Sequence, residues 1–350
     1  MTHDAYRILD ANFNRASEAL RVMEEYARFV LNDDRLCQDA KSMRHRLAGI
    51  FREKPLASCM VMRDTPADVG TRSRTDAEYQ RSRAVDVAAA AGKRLSEALR
   101  VIEEYAKPVD CGAATACEKL RYDGYELDKR IMHVVRARSR WPGVDVYVLL
   151  TESLCAESWR DTLKAVIDGG ADCVQLREKA CTDRDLFERA EVFCQTCREA
   201  GVLSIINDRV DLAAAVGADG VHLGATDLSP PVARRILGPH AIIGASSHSA
   251  DEAKAAADLS ADYIAVGPMF ATPVKPQYGV NGPDLVRIAR AVTALPLVAI
   301  GGINADNVCQ VVEAGADSVA VCRAIIGAAD PAAALRRIRR AAGFEQTRPR

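Results

Sequence analysis

Short apolar runs and helix-patterned segments alternate along the carboxyl-terminal part of the chain, from residue 144 onward. Each run has five or six residues, as a buried strand does, and a segment with apolar residues at helical spacing follows it. The eight runs are VYVLLT, CVQLRE, LSIIND, GVHLG, AIIGAS, YIAVGP, LVAIGG and SVAVCR. Eight strand–helix units in about 200 residues predict a (β/α)8 TIM barrel. A doubly wound sheet is the second choice, and the lack of a GxGxxG motif after the first strand disfavours it.

Residues 1–138 have a different pattern, which is helical and almost without β-branched runs. This part of the chain contains an internal repeat. The segment RASEALRVMEEYAR at 15–28 recurs as RLSEALRVIEEYAK at 94–107, with 11 of 14 positions identical. Identity at this level indicates that a helical unit has been duplicated. We therefore predict a smaller all-α domain in front of the barrel.

The repeated helix has an apolar and a polar face. The apolar stripe of the first copy, at helical spacing, consists of Ala16, Ala19, Leu20, Met23, Ala27 and Val30. The polar face carries Glu18, Arg21, Glu25 and Arg28, which recur as Glu97, Arg100, Glu104 and Lys107. Two interpretations stay open for this face. It is either a solvated ladder of ion pairs, or part of a pocket or pseudo-symmetric interface in which Glu25 and Glu104 lie near each other.

Two polar segments mark the connections. The segment VMRDTPADVGTRSRTDAEYQR at 61–81 contains Pro and Gly and predicts a loop between the two copies. The segment RARSRWPG at 136–143 is basic, ends in Pro-Gly and predicts a solvated linker. The expected organisation is a helical domain over 1–138, a linker over 139–143 and a barrel over 144–345.

The overall composition excludes several classes of partner. The chain has 350 residues, of which 49% are hydrophobic and 27% charged, and its net charge of −1 gives no reason to expect a nucleic-acid or membrane partner. No apolar run reaches the roughly 18 residues of a membrane span, and the start MTHDAYRILD lacks the apolar core of a signal peptide. We expect a cytoplasmic protein that acts on small molecules. Assembly into a homo-oligomer is left as an open alternative.

The eleven cysteines show little pattern. The one CxxC motif, formed by Cys194 and Cys197, lies in a stretch with helical periodicity. A metal or redox site would require a second pair, or a turn before a helix, and the sequence has neither. We therefore expect reduced, buried thiols.

Polar residues and glycines follow the predicted strands at their carboxyl ends, where a barrel carries its active site. Along the chain these residues are Gln175, Arg177 and Lys179 after the second strand, Asn207 and Asp208 after the third, Asp227 after the fourth, Ser246 after the fifth, Thr272 and Lys275 after the sixth, Gly301 and Gly302 after the seventh, and Cys322 and Arg323 after the eighth.

The two aspartates and the neighbouring amide indicate a metal site. Carboxylate and amide oxygens from adjacent strand ends suit Mg²⁺, which keeps water and substrate phosphates as its other ligands. We predict that Asp208 and Asp227 hold one metal ion. The alternative is that Asp208, with Asn207, and Asp227 each cap the helix that follows.

The cations and glycines indicate phosphate binding. Arg177, Lys179 and Lys275 supply positive charge for more phosphate than one divalent ion can neutralise. The glycines at 301–302 let backbone N–H groups approach an anion in the region where barrels commonly bind phosphate. The site is thus expected to hold two anionic groups, one near strands two to four and one near strands six to eight. His222 and His248 are interpreted as structural residues.

Several motifs resemble those of the thiamine-phosphate synthase family. They are VQLREK, NDRVDLAAAVGADGVHLGATDL, IIGASSHS, DYIAVGPMFATPVK and VAIGGINADNV, and the resemblance covers roughly residues 144–335. It implies a Mg²⁺-dependent enzyme, a transferase that joins hydroxymethylpyrimidine diphosphate to hydroxyethylthiazole phosphate and releases pyrophosphate. It also implies a dissociative reaction, in which pyrophosphate leaves first and the thiazole nitrogen captures a stabilised pyrimidine cation.

The resemblance assigns roles to residues of this chain. Asp208 and Asp227 match the metal ligands. The pyrimidine diphosphate contacts match Gln175, Arg177, Lys179, Asn207 and Ser246. The contacts around the thiazole phosphate and the departing pyrophosphate match Thr272, Lys275 and Gly302, and the loop after strand eight adds Cys322 and Arg323. The residues expected to act in catalysis are Lys179, Ser246 and Lys275.

Two positions depart from the family pattern. Val274 stands where a second Thr or Ser is frequent, and Arg323 stands where a Ser-Ala-Ile-like loop is usual. Both changes concern the thiazole phosphate site, where Arg323 is expected to add a charged contact.

The helical half resembles an extension that is fused to some thiamine-phosphate synthases, through RDT…DVGT and the SEALRV-x-EEYA repeat. That extension implies phosphorylation of the pyrimidine monophosphate, although the sequence has no Walker A loop.

Two other functions are weighed against the synthase. A thiazole tautomerase binds no pyrophosphate, so it would not need Lys179, Asp208 and Asp227. A non-catalytic sensor of thiamine precursors would use the helical half as an interaction module.

Overall fold

A computed structural model describes residues 2–53, 55–64, 81–141, 143–272 and 279–344. Lys275, Val274 and residues 65–80 of the expected loop lie outside the described residues. The chain divides into two compact units, Met1–Val135 and Arg136–Arg350.

The first unit is helical. Its long helices are α1 (Thr2–Tyr26), α2 (Asp34–Arg52), α3 (Ala84–Ala106) and α4 (Cys111–Arg140), of which α4 continues into the second unit. A π-helical turn covers Ala27–Leu31, and a 3-10 helix covers Leu56–Met62, which includes the first two residues of the expected loop. Helix α2 begins where the side chain of Asp33 accepts a hydrogen bond from the N–H of Leu36.

The two copies of the repeat lie in α1 and α3, which pack extensively against each other. The expected apolar stripe is buried at its first five positions, Ala16, Ala19, Leu20, Met23 and Ala27. Val30 is 46% exposed, and its expected burial is therefore wrong. The reason is local, because the π-helical turn changes the residues-per-turn of the helix and rotates Val30 away from the stripe.

The polar face carries short-range ion pairs in both copies. Arg21 Nε lies 3.4 Å from Glu25 Oε1, and Arg100 Nη2 lies 2.9 Å from Glu104 Oε1, each pair one helical turn apart. The side chains of both glutamates are about 40% exposed. These contacts agree with the ion-pair ladder, whereas the approach of Glu25 to Glu104 stays a prediction.

In each copy, the residue just before the exposed glutamate is a second glutamate, Glu24 or Glu103, which is buried. Glu24 accepts from Arg44 on α2, with Nη2 at 3.0 Å from Oε2, and Glu103 accepts from Arg121 on α4, with Nε at 2.9 Å from Oε2. Both glutamates are buried, and so is Arg121. The duplication therefore reproduces a carboxylate–guanidinium contact between two helices, which the repeat pattern alone does not reveal.

The second unit is a closed barrel of eight parallel strands in chain order. The strands are β1 (Val146–Leu150), β2 (Cys173–Leu176), β3 (Leu203–Asn207), β4 (Gly220–Leu223), β5 (Ile242–Ser247), β6 (Tyr263–Val266), β7 (Leu297–Ile300) and β8 (Ser318–Val321). Pairing of β1 with β8, Val146 opposite Val319, closes the cylinder. The predicted TIM barrel is confirmed, and closure excludes the doubly wound sheet.

Helices follow the strands. They are α5 (Trp159–Asp168), α6 (Asp183–Ala200), α7 (Val210–Val216), α8 (Pro230–Leu237), α9 (Ala250–Asp258), α10 (Asp284–Arg290), α11 (Val308–Glu313), α12 (Arg323–Ile326) and α13 (Pro331–Ala341), with a 3-10 turn at Glu152–Leu154. None of the described helices of the chain is long and apolar enough to cross a membrane. All eleven cysteines are free thiols, and Cys194 and Cys197 are buried in α6 as expected, whereas Cys111 and Cys309 are exposed and the expectation of burial is wrong for them.

Arg140 and Trp141, two residues of the expected solvated linker, lie at the amino ends of the strands. Trp141 is buried, and its ring stacks on that of Tyr263 with the centroids 4.1 Å apart. Arg140 Nη1 lies 2.7 Å from Oδ1 of Asp262, a carboxylate with no exposed surface. The linker interpretation is wrong because Trp141 fills the barrel interior and Arg140 pairs with a buried charge there.

Candidate active site

The carboxyl ends of the strands surround a cavity of about 220 Å³. Nine of the residues proposed from the sequence line it: Gln175, Arg177, Asn207, Ser246, Thr272, Gly301, Gly302, Cys322 and Arg323. They come from six different strand ends that are far apart in the sequence. The barrel thus brings these residues together, and their individual roles stay predictions.

A second cavity of about 400 Å³ adjoins the first. Arg177 and Arg323 line both cavities, and Lys179 lines the second. Backbone and side chains of the loop after β1 complete the wall at residues 151–154. Three cations around adjoining cavities can bind a substrate with more than one phosphate group.

The two aspartates proposed as metal ligands lie close to each other and to Lys179. Lys179 Nζ is 3.5 Å from Asp208 Oδ2, and Asp227 Oδ2 accepts a 2.7 Å hydrogen bond from the N–H of Gly224. Burial raises the pKa of Asp208, and the neighbouring Asp227 raises it further, whereas Lys179 acts in the opposite direction.

Neither aspartate caps the helix that follows it. The residue that precedes α7 is Arg209, and the one that precedes α8 is Ser229, and neither helix receives a side-chain cap. Asp208 has a φ of 63° and joins β3 to β4 by donating its N–H to the carbonyl of His222 at 2.8 Å. The capping alternative is therefore wrong, and both carboxylates remain available at the strand ends.

The donor set fits a metal that needs few protein ligands. Among the described residues, no group of three or more His, Cys, Asp or Glu side chains is arranged to hold a metal ion. Two adjacent carboxylates are, however, what Mg²⁺ uses when water and substrate phosphate complete its octahedron. A cation between Asp208 and Asp227 would also relieve the repulsion that raises the pKa of Asp208.

The glycines after β7 allow two loops to meet. Gly302 has a φ of 67°, and a Cβ there would lie 2.7 Å from the carbonyl oxygen of Ala271. The neighbouring Gly301 accepts a 2.9 Å hydrogen bond from the N–H of Phe270. Any side chain at 302 would therefore push the loop after β6 out of the cavity wall.

A chain of hydrogen-bonded polar side chains crosses the barrel, partly in the cavity wall and partly in the core beneath it. Gln175 Nε2 donates to the hydroxyl of Tyr147, which lies 3.0 Å from the hydroxyl of Tyr263. His222 Nδ1 lies 2.9 Å from the Tyr263 hydroxyl, and His222 Nε2 lies 3.0 Å from Ser246 Oγ. Burial raises the pKa of both tyrosines, so their hydroxyls stay protonated.

Four side chains in or beneath the cavity wall were not predicted from the sequence as part of the site. Tyr147, Tyr263 and both histidines were left out of the site, yet His222 and His248 line the cavity. The available signal was strand alternation, which places Tyr147 and His222 on the inward-facing side of β1 and β4. His248 contacts the carbonyl of Gly267 through Nδ1.

Comparison with known proteins covers both units. Residues 146–325 match the family described as thiamine monophosphate synthase, and residues 7–130 match the ThiD2 family. A thiamine-phosphate synthase of Nostoc sp. is 41% identical over 90% of this chain and 88% of its own length. One from Rhodopirellula baltica is 40% identical over 90% and 86%, respectively.

A solved structure supports the same assignment for the barrel. The thiamine phosphate pyrophosphorylase of Pyrococcus furiosus is 35% identical, with a TM-score of 0.54, over 60% of this chain and 98% of its own. Together with the matched relatives, this confirms the resemblance inferred from the sequence motifs. The chain belongs to the thiamine-phosphate synthase family of transferases, with a ThiD2-type segment at its amino-terminal side.

Proposed function

We propose that the barrel condenses hydroxymethylpyrimidine diphosphate with hydroxyethylthiazole phosphate to give thiamine phosphate and pyrophosphate, with Mg²⁺. The observation that carries the proposal is the pair of adjoining cavities, which share Arg177 and Arg323. A reaction of two phosphorylated substrates needs two neighbouring anion sites, and a cationic boundary between them serves both.

Asp208 and Asp227 would hold the metal ion, with the diphosphate and water as its other ligands. When bound, Mg²⁺ supplies positive charge that stabilises the departing pyrophosphate. Lys179 lies beside Asp208 and lines the second cavity, so its ammonium can bind the same leaving group. Lys275 is expected to act similarly. This expectation rests on the family resemblance alone, because Lys275 lies outside the described residues.

The residues at the cavity wall favour stabilisation of charge over covalent catalysis. Cys322 lines the substrate cavity, and burial raises the pKa of its thiol to about 11. A protonated thiol is a poor nucleophile. Gln175, Asn207 and Ser246 offer neutral hydrogen-bonding groups, which can orient a pyrimidine while its bond to the diphosphate breaks.

The tautomerase alternative accounts for fewer of these features. Isomerisation of a thiazole phosphate involves one phosphate group, whereas Lys179, Asp208 and Asp227 form a second charged cluster. The precursor sensor accounts for binding but gives no reason for adjacent carboxylates at the place where a diphosphate would leave.

The test is an assay of thiamine phosphate and pyrophosphate formation by the full chain, from both substrates, with Mg²⁺ and after its removal by a chelator. We expect product only with both substrates and the metal. Conversion of an isomeric thiazole phosphate without the pyrimidine diphosphate would favour the tautomerase. Tight binding of either substrate without any product would favour the sensor.

We propose for the first unit that it phosphorylates hydroxymethylpyrimidine monophosphate and so supplies the barrel with its substrate. The support is the ThiD2 family match over residues 7–130. The test replaces the diphosphate by the monophosphate plus ATP in the same assay. Formation of ADP by the full chain, and its absence from a chain that lacks residues 1–135, is the expected result. ADP formation by the barrel alone would contradict it.

A further inference from the structure

We propose that Tyr147, Tyr263 and His222 are positioning residues that set the hydrogen-bond direction of Gln175 and Ser246 in the substrate cavity. The inference rests on the proposed function, because it treats that cavity as the pyrimidine site. It adds to that function a relay that reaches the cavity wall at Gln175, His222 and Ser246 and runs through the two buried tyrosines behind that wall.

The relay joins the two ends across the barrel interior. Its five side chains come from five strands: Gln175 on β2, Tyr147 on β1, Tyr263 on β6, His222 on β4 and Ser246 on β5. Gln175, His222 and Ser246 line the cavity, whereas the two tyrosines lie below it in the core. The contacts between Tyr147, Tyr263, His222 and Ser246 all measure 2.9–3.0 Å.

Packing holds the centre of the relay in place. Tyr147 and Tyr263 are almost completely buried, and Trp141 stacks on Tyr263 from below. A Cβ at Gly244 would lie only 2.0 Å from Cζ of Tyr263, so the ring occupies space that only glycine leaves open. The ring of Tyr263 therefore has little room to move, and its hydroxyl is a fixed point between Tyr147 and His222.

The direction of the hydrogen bonds follows from the number of hydrogens. Gln175 Nε2 is the donor to Tyr147, so the single hydroxyl hydrogen of Tyr147 is donated to Tyr263. The hydrogen of Tyr263 is then donated to Nδ1 of His222. With Nδ1 as an acceptor, the neutral imidazole carries its hydrogen on Nε2, and it donates this hydrogen to Ser246 Oγ.

This direction fixes what each end offers to a ligand. Ser246 accepts from His222, so its own hydroxyl hydrogen is available for donation into the cavity. Gln175 donates one amide hydrogen to Tyr147, so its carbonyl oxygen and its second amide hydrogen are the groups it offers to a ligand in the cavity. The cavity thereby selects an uncharged polar ring with an acceptor opposite Ser246 and a donor–acceptor edge opposite Gln175.

The first experiment reads the tautomer of His222 in the full chain without substrate. Histidine side chains are labelled with ¹⁵N, and the resonances of His222 are assigned by their loss in His222→Gln. We expect hydrogen on Nε2 and a lone pair on Nδ1, and a mixture of tautomers in Tyr263→Phe. Tyr147→Phe should keep the Nε2–H form, because Tyr263 still donates to Nδ1. Hydrogen on Nδ1 in the unmodified protein would reverse the relay and overturn the proposal.

The second experiment separates positioning from stability. Tyr263→Phe removes the central hydroxyl and keeps the ring, and Ser318→Ala is its control. The hydroxyl of Ser318 is fully buried and accepts from Trp141 Nε1 at 3.0 Å, at the opposite end of the barrel. We expect Tyr263→Phe to raise the KM for pyrimidine diphosphate about tenfold, with the KM for thiazole phosphate within about twofold.

Circular dichroism of both variants shows whether the barrel is folded. If Tyr263→Phe and Ser318→Ala change both KM values alike, the relay has only a structural role and the proposal is wrong. If the unmodified chain makes no product, the proposed function fails. The tautomer measurement still decides the relay in that case, because it needs no substrate.

Discussion

Lys179 Nζ lies 3.5 Å from Oδ2 of Asp208, at the point where Asp208 and Asp227 come together. Lys179 follows β2, whereas the two aspartates follow β3 and β4. One ammonium group beside two carboxylates leaves the cluster with an excess of negative charge. A divalent cation would balance that excess, and a diphosphate bound to the cation would then also contact Lys179.

The metal assignment predicts a large loss of turnover when either carboxylate is removed. Asp208→Ala and Asp227→Ala should each lower kcat by on the order of 100-fold or more, because charge stabilisation at the leaving group is lost. Steady-state rates over a range of Mg²⁺ concentrations provide the measurement. Asp211→Ala is the matched control, since Asp211 is exposed at the start of α7 and pairs with Arg209. Near-normal rates of both site variants at limiting Mg²⁺ would rule out the assignment.

Arg323 provides a prediction about the phosphate sites, because it lines both cavities. Arg323→Ser should raise the KM for thiazole phosphate roughly fivefold, since one partly solvated contact to a phosphate is worth about 1 kcal/mol. The value of kcat should change little. Arg337→Ser removes an exposed guanidinium that pairs with Asp306 on the surface, and it should leave both KM values unchanged. An unchanged KM in Arg323→Ser would show that the loop binds phosphate through its backbone alone.

Truncation should show where the barrel begins. A chain of residues 136–350 keeps Arg138, Arg140 and Trp141, and it should condense the diphosphate with thiazole phosphate within about tenfold of the full chain. Use of the monophosphate should disappear. A chain of residues 142–350 loses the buried Trp141, and removal of such a side chain costs about 3–5 kcal/mol, so its Tm should fall clearly.

Thermal unfolding and the condensation assay on the two truncated chains test this. Equal Tm values would show that the residues from 136 to 141 add nothing to the barrel. A folded 136–350 chain without condensation activity would instead show that the first unit contributes to the site.

The duplicated helices predict unequal effects of neighbouring glutamates. Glu103→Gln leaves the buried Arg121 without its charged partner and should destabilise the helical unit by about 3 kcal/mol. Glu104→Gln affects a solvent-exposed pair with Arg100 and Lys107 and should leave the Tm unchanged. Calorimetry of the full-length variants measures both effects. Similar Tm values for the two variants would contradict the difference in burial as the deciding factor.

Local pattern was sufficient to predict the barrel. Strand and helix periodicities are properties of neighbouring residues, so eight runs such as YIAV and LVAI could be read directly as strands. Strand order also followed, because parallel strands joined by helices are neighbours in a barrel. The meeting of Asp208 and Asp227 could therefore be predicted, since β3 and β4 are adjacent, with Asn207 opposite His222.

The sequence by itself thus determined the fold class, the repeat and the set of polar residues at the strand ends. Tertiary structure alone decided the rest. The burial of Trp141 depends on the space inside the barrel. The side of the helix on which Val30 lies depends on a π-helical turn. The path from Gln175 to Ser246 joins side chains of five strands through inward-facing rings, and no local periodicity encodes which rings touch. Contacts of this kind arise only when closure of the barrel brings distant strands to within hydrogen-bond distance.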